Sequence, residues 1–271
     1  MNRADLKQLA ANPDFISGIY NYCDRWCERC AFSSRCLLYA TEKEDPDLDD
    51  PDMRDLKNAK FWRKLDSIFK DAHEFIRECA EEAGVDLEAI ETDEAIAAHE
   101  AETENAKCHQ LSLMARDYAG AVESWLENEL VAAENLSDDA RVQASREATE
   151  IDVHEALEVI RWYQYFIAAK VFRALMGSGS ELQGIYPDDN QDEINPPQTD
   201  ANGSAKIALI AIERSLGAWR IMQSCVPDKI ESVAPLMTQL ENLRSGIEEE
   251  LPLARDFIRP GFDEVECDFV S

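Results

Sequence analysis

Apolar residues recur along most of the chain at intervals of three and four, the period of a helix with one buried face. The clearest run opens near Leu56. Phe61, Trp62, Leu65, Ile68, Phe69, Ala72, Phe75 and Ile76 hold that spacing up to Gly84, which predicts an amphipathic helix stopped by glycine. A second run, about Thr92 to Glu134, sets Ala101, Cys108, Leu111, Ala115, Tyr118, Val122, Trp125 and Leu126 on one side. Asn135 and Ser137-Asp138-Asp139 then read as a stop and a new N-cap. The third helix, about Asp139 to Met176, carries Val153, Leu157, Ile160, Ile167, Val171 and Leu175 and ends at Gly177-Ser178-Gly179. A fourth, capped by Asp200 or Asn202, places Ile207, Ile210, Ala211, Leu216 and Trp219 before Val226. Pro227-Asp228 restarts the chain into a fifth, to about Ile258, with bends expected at Pro235 and Pro252. No segment alternates with the period of a strand.

Long helices joined mostly by short turns favour antiparallel neighbours. The expected fold is therefore all-α: an antiparallel, up-down four- or five-helix bundle over residues 56–258. Ahead of it stand a Cys-rich metal-binding segment, 1–44, and an acidic, proline-punctuated linker, 45–55. A C-terminal tail, 259–271, is expected to fray. In the front segment Pro13 should open a helix at Asp14, with Phe15, Ile16, Ile19, Tyr20 and Tyr22 as its apolar face. The polar stretch Gly177 to Thr199 is long for a loop inside a compact domain, a length usually functional or disordered. No internal repeat recurs at a fixed period.

Composition narrows the function classes. Of 271 residues 45% are apolar, enough for a substantial core. No uncharged apolar run approaches the ~18 residues a membrane helix needs. The opening Met1-Asn2-Arg3-Ala4-Asp5 has no secretory apolar stretch, so the cytoplasm is the expected compartment. Asp and Glu number 56 against 27 Lys and Arg, a formal net charge of -29. Such a surface repels phosphates and anionic membranes, which argues against direct nucleic-acid or membrane binding and leaves a protein partner. The charge reads as a solubility device, of a kind suited to a salty cytoplasm. The sharper alternative is an acidic nucleic-acid mimic, a role that needs no cysteine cluster. Composition does not fix the oligomeric state.

Four of eight cysteines fall within 14 residues, Tyr22-Cys23-Asp24-Arg25-Trp26-Cys27-Glu28-Arg29-Cys30 and then Cys36, spaced C-x3-C-x2-C-x5-C. The other four, Cys79, Cys108, Cys225 and Cys267, are scattered. That distribution suits one metal or iron–sulfur site better than a disulfide framework. Cys23 and Cys27 would share one face of a helical turn, and Cys36 could return after a turn at Phe32-Ser33-Ser34. Arg25, Arg29 and Arg35 should favour thiolate and offset a cluster's negative charge. Structural zinc usually takes two separated C-x2-C pairs, whereas a compressed run is closer to those that hold a [4Fe–4S] cluster. The expected cofactor is [4Fe–4S], with Zn as the alternative.

The C-x3-C-x2-C part resembles the cluster loop of radical SAM enzymes. The C-x2-C-x5-C part, with Phe32 two residues after Cys30, resembles the cluster end of PD-(D/E)XK iron–sulfur nucleases. The first family implies a β/α barrel and the second a (D/E)-x-K strand; the helical periodicity offers neither. The stretch Phe15 to Cys36 also resembles the N-terminus of uncharacterised bacterial proteins sharing the Tyr-Cys-Asp-Arg-Trp-Cys-Glu-Arg-Cys text, a likeness that brings no activity with it.

A bundle can also house metal between inward carboxylates and histidines. Glu150, His154 and Glu158 share one face of the third helix, with Glu147 a turn away, and form a candidate second ligand row. The bland reading is a solvated, helix-stabilising face. His73 and His109 could approach that row from other helices. Cys108 reads as a buried structural cysteine, and Trp162-Tyr163-Gln164-Tyr165-Phe166 as packing. Walker-type loops and Gly-x-Ser-x-Gly are absent. Two functions follow: a metal-stapled interaction protein, or a redox or metal-dependent enzyme with a second site at Glu150, His154 and Glu158.

Overall fold

A computed structural model describes residues 8–43, 50–53, 55–87, 93–134, 147–179, 197–225 and 230–263. The regular elements among these are helical, with no strand: α1 (Leu37–Lys43), α2 (Ala59–Ala83), α3 (Asp93–Cys108), α4 (Gln110–Glu134), α5 (Glu147–Gly179), α6 (Asp200–Cys225) and α7 (Ile230–Glu250). None of them is long and apolar enough to cross a membrane. The chain divides into two compact units. One comprises Met1–Glu100 with Pro260–Ser271; the other is Ala101–Arg259.

In the second unit α4 packs on α5 and α7, and α6 packs on the same two helices. Neighbours run in opposite directions. Arg173, late in α5, forks onto Asp200 at the start of α6 at 3.0 and 2.7 Å. Tyr163, earlier in α5, accepts from Arg214, later in α6, at 2.6 Å. Likewise Leu111 at the head of α4 lies against Gly246 in α7, and Trp125 donates to Ser232 at 3.0 Å. α6 is buried on most of its circumference because Ala205, Ile207, Ala208, Leu209, Ile212 and Leu216 surround it with small and apolar side chains. At the centre Trp219 meets Trp125 edge-on at 4.9 Å, a geometry worth about 0.5–1.5 kcal/mol beyond burial. Its indole N–H donates to the buried Tyr118 hydroxyl at 2.9 Å. Burial holds that phenol well above its ordinary titration range.

Several boundaries differ from the periodicity. The run from Thr92 to Glu134 is two helices, interrupted at His109, whose ring Nδ1 accepts the Leu111 N–H at 3.3 Å. Arg116 covers the freed Lys107 carbonyl at 2.7 Å. α6 is capped by Thr199, whose hydroxyl accepts the Asn202 N–H at 3.2 Å, rather than by Asp200 or Asn202. The last helix stops at Glu250, just before Pro252, and a single turn Ala254–Asp256 follows. Pro235 lies inside α7. The expected cap at Ser137-Asp138-Asp139 and most of the Gly177 to Thr199 stretch fall outside the described residues.

The first unit has a thin core. Among its described residues only Ile19 and Ala80 are buried. No helix opens at Asp14; its N–H is taken by Asn12 Oδ1 at 3.0 Å, and the chain continues in single turns past Gly18, at φ +72°. α2 has both ends closed. Asn58 accepts the Lys60 N–H at 3.0 Å, and Gly84, at φ +69°, ends the helix as its spacing predicts. Its apolar stripe, however, is not buried: Trp62, Ile68, Phe69 and Ile76 are all half or more exposed. The described end of the acidic stretch is tied to α2, with Asp52 on Lys60 at 2.7 Å. Residues 260–263 pack rather than fray: Phe262 meets Phe32 edge-on at 5.0 Å.

Candidate metal centre

The peptide that carries the four cysteines is shaped by three single turns and one left-handed residue. The turn Ile19–Asn21 delivers Cys23, whose thiol donates to the Tyr20 carbonyl at 3.6 Å. Between Cys23 and Cys27 the chain is not helical, contrary to the i, i+4 expectation. Arg25 sits there at φ +60°, and Asp24 Oδ1 accepts the Trp26 N–H at 3.2 Å. Cys27 opens the turn Cys27–Arg29, which Cys30 closes by donating its N–H to the Cys27 carbonyl at 3.2 Å. The Cys30 sulfur in turn accepts the Phe32 N–H at 3.4 Å. The expected turn after Phe32 is present as Ser33–Arg35, and it sets Cys36 directly before α1. The two ends of the peptide are joined where Ile16 donates to the Arg35 carbonyl at 3.0 Å.

These turns bring Cys23, Cys27, Cys30 and Cys36 to the wall of one shallow, solvent-open hollow. Ile19, Tyr39 and Phe262 supply apolar wall, and Arg25 is the one arginine that lines it. Arg29 lies over the Trp26 ring at 4.1 Å, and Arg35 donates to the Asp14 carbonyl at 3.3 Å. Arg25 pairs with Glu42 at 3.3 Å, both side chains 42% exposed. Burial pushes the Cys27 thiol up to about 11; Glu42 and Cys23 add to the rise, Arg25 opposes it, and Cys36 adds a little more. Partial burial beside other thiols and Glu42 thus favours the neutral form of the Cys27 sulfur, a balance that a bound metal would reverse. Among the described residues no group of three or more His, Cys, Asp or Glu side chains closes around a point as a single ion requires.

The second candidate row lies elsewhere. Glu150 is in α5, with its side chain outside the described residues. His154 is 72% exposed and faces Glu158 on its own helix at 3.3 Å. His109 points at Glu250 on α7 at 4.0 Å, and His73 is exposed on α2. Cys108 is exposed rather than buried, and its thiol donates to Glu104 at 3.4 Å. In the aromatic run Tyr163 is core, while Tyr165 is exposed and bonded to Glu123.

Sequence reasoning missed Tyr39, Glu42, Gly261 and Phe262. Pro260-Gly261 is a turn signal, and Gly261 does turn, at φ +73°. A Cβ there would stand 2.8 Å from Ile16 Cδ1, so the close approach itself needs glycine. A turn signal marks a bend and is silent on where the bent chain lands. Comparison with protein families, curated proteins and solved structures finds no match for this chain.

Proposed function

We propose that this is a metal-binding helical protein in which Cys23, Cys27, Cys30 and Cys36 hold a [4Fe–4S] cluster, zinc being the alternative, and that the cofactor staples the N-terminal unit. The observation that carries the reading is the common hollow: all four clustered cysteines line it. Four thiolates are a soft donor set that suits either occupant. Zinc, with Zn–S bonds of about 2.3 Å, draws its sulfurs to within about 4 Å of one another. Sulfurs that ring a hollow suit a cluster, which has a body of its own. The Phe32 N–H on the Cys30 sulfur and the Arg25 cation are the kinds of contact that steady an anionic iron–sulfur group.

The staple role is supported by the contrast between the units. A segment with two buried apolar residues among those described has little hydrophobic drive to fold, and small scaffolds of that kind rely on metals or cross-links. The antiparallel neighbours of the second unit support an up-down bundle, and its acidic surface supports a protein partner over nucleic acid. An enzyme with a second site at Glu150, His154 and Glu158 is the competing reading; the exposed His154–Glu158 pair does not favour it.

The test is anaerobic purification with iron, sulfide and zinc analysis and a visible spectrum. A brown protein with iron and sulfide in equal amounts supports the cluster. Colourless protein with one zinc per chain assigns zinc, and protein free of both metals overturns the site. Cys27→Ala should lose the metal whichever it is; unchanged metal content would remove Cys27 from the site.

A further inference from the structure

Backbone geometry sets Cys27 and Cys30 apart from the other two clustered cysteines. Cys27 opens a single turn and Cys30 closes it, its N–H donating to the Cys27 carbonyl at 3.2 Å. With three residues per turn and a rise of about 2.0 Å, such a turn places Cα atoms three apart about 6 Å from each other. A disulfide spans Cα atoms about 4.4–6.8 Å apart, so this pair can be bridged with little movement of the chain. Both are free thiols, and the hollow they line is open to solvent, which gives a small oxidant access to them. Cys23 and Cys36 are held otherwise. The Cys23 thiol donates to the Tyr20 carbonyl, and the left-handed Arg25 separates it from Cys27. Cys36 closes a different turn, on the Ser33 carbonyl, and leads into α1.

We propose that Cys27 and Cys30 form a reversible disulfide when the metal-free chain meets hydrogen peroxide, and that the bridge closes the site to metal until a thiol reductant opens it. The bridge rests on the turn; its effect on metal rests on the cofactor reading above. The Cys30 sulfur, which accepts the Phe32 N–H at 3.4 Å, takes one peroxide oxygen and becomes a sulfenic acid, while the other oxygen leaves as water. The Cys27 sulfur then attacks the oxidised sulfur. The S–S bond forms, the S–O bond breaks, and the hydroxyl leaves with the Cys27 proton as a second water. Two thiols thus give up two electrons and two protons, and one peroxide becomes two waters. The bridge takes two of the four sulfur donors out of service, and a dithiol returns them by exchange.

The chain's own arginines make the test selective. Trypsin cuts after Arg25, Arg29 and Arg35, so each of the four cysteines falls on a different peptide. Full-length protein is stripped of metal by a chelator under argon, given hydrogen peroxide, alkylated and digested. Peptides 26–29 and 30–35 should appear joined as the main bridged species, and dithiothreitol should part them. Cys36→Ser should keep that bridge, whereas Cys30→Ser should leave Cys27 alkylated. Bridged protein should bind zinc at least roughly ten-fold more weakly than reduced protein, and reduction should restore the binding. A main bridge to Cys23 or Cys36, a bridge between two chains, or a Cys30 carried on to sulfinic acid overturns the proposal. Bridged protein that binds zinc as tightly as reduced protein does so too. Joined peptides from a chain that binds neither zinc nor iron even when reduced would keep the bridge and overturn the cofactor instead.

Discussion

At the scale of the residue, Arg25 joins backbone cost to charge. A left-handed backbone at a residue with a Cβ costs about 1–2 kcal/mol, and its exposed ion pair with Glu42 returns less than about 1. Local structure alone therefore disfavours arginine here, and its place in the wall of the cysteine hollow supplies the reason to keep it. Arg25→Gly should stabilise the metal-stripped protein by ~0.5–1 kcal/mol in thermal unfolding, because the strain goes and little is lost. The same change should make the loaded protein release metal faster in a chelator competition; equal release rates would show that the cation does nothing for the site. The spacing of Cys23, Cys27, Cys30 and Cys36 was enough to gather them, because short loops leave few ways to separate four side chains. It could not give the left-handed turn, since φ at a non-glycine residue is set by what surrounds it. Nor could it tell Arg25, which reaches the hollow, from Arg29 and Arg35, which are drawn to Trp26 and to the Asp14 carbonyl.

At the scale of the element, α5 and α6 come close at Gly177, where a Cβ would stand 3.2 Å from the Ala201 backbone nitrogen. Backbone cannot step aside as a side chain end can. Gly177→Val should cost about 1–3 kcal/mol, read as a lower urea midpoint at unchanged slope. A neutral result would mean that the two helices separate there at little cost. The existence of the long helices from Ala59 onward was legible, because a 3.6-residue period survives local exceptions, whereas the helix expected at Asp14 is replaced by single turns. The stops were legible where chemistry is local, as at Gly84 and ahead of Pro252. The break at His109 was not, since it depends on a ring nitrogen competing for one backbone N–H. The apolar stripe of α2 looked like core and is surface, because periodicity shows that a face seeks a partner and says nothing of whether the same chain provides it.

At the scale of the whole molecule, the two units differ in what holds them. Among the described residues the second buries Trp219, Tyr118, Tyr163 and many aliphatic residues, while the first buries Ile19 and Ala80. Calorimetry on the loaded protein should show two transitions, and metal removal should lower the one belonging to the first unit and leave the other in place. One joint transition that shifts as a whole would mean that the units unfold together. The sequence boundary at residues 45–55 marks a change of composition, whereas the division lies at 100/101 and again at 259/260. Residues from both ends of the chain thus belong to one unit, with the other spliced between them. During synthesis the cysteines emerge first, yet Phe262, which closes one wall of their hollow, emerges only after the entire second unit has been made. The usual order, in which N-terminal units finish first, is reversed. The cysteine hollow is completed last, so a cofactor held there, as proposed, would be inserted only after the second unit has been made, and a ribosome that stops short of Phe262 leaves the second unit with that wall of the hollow missing.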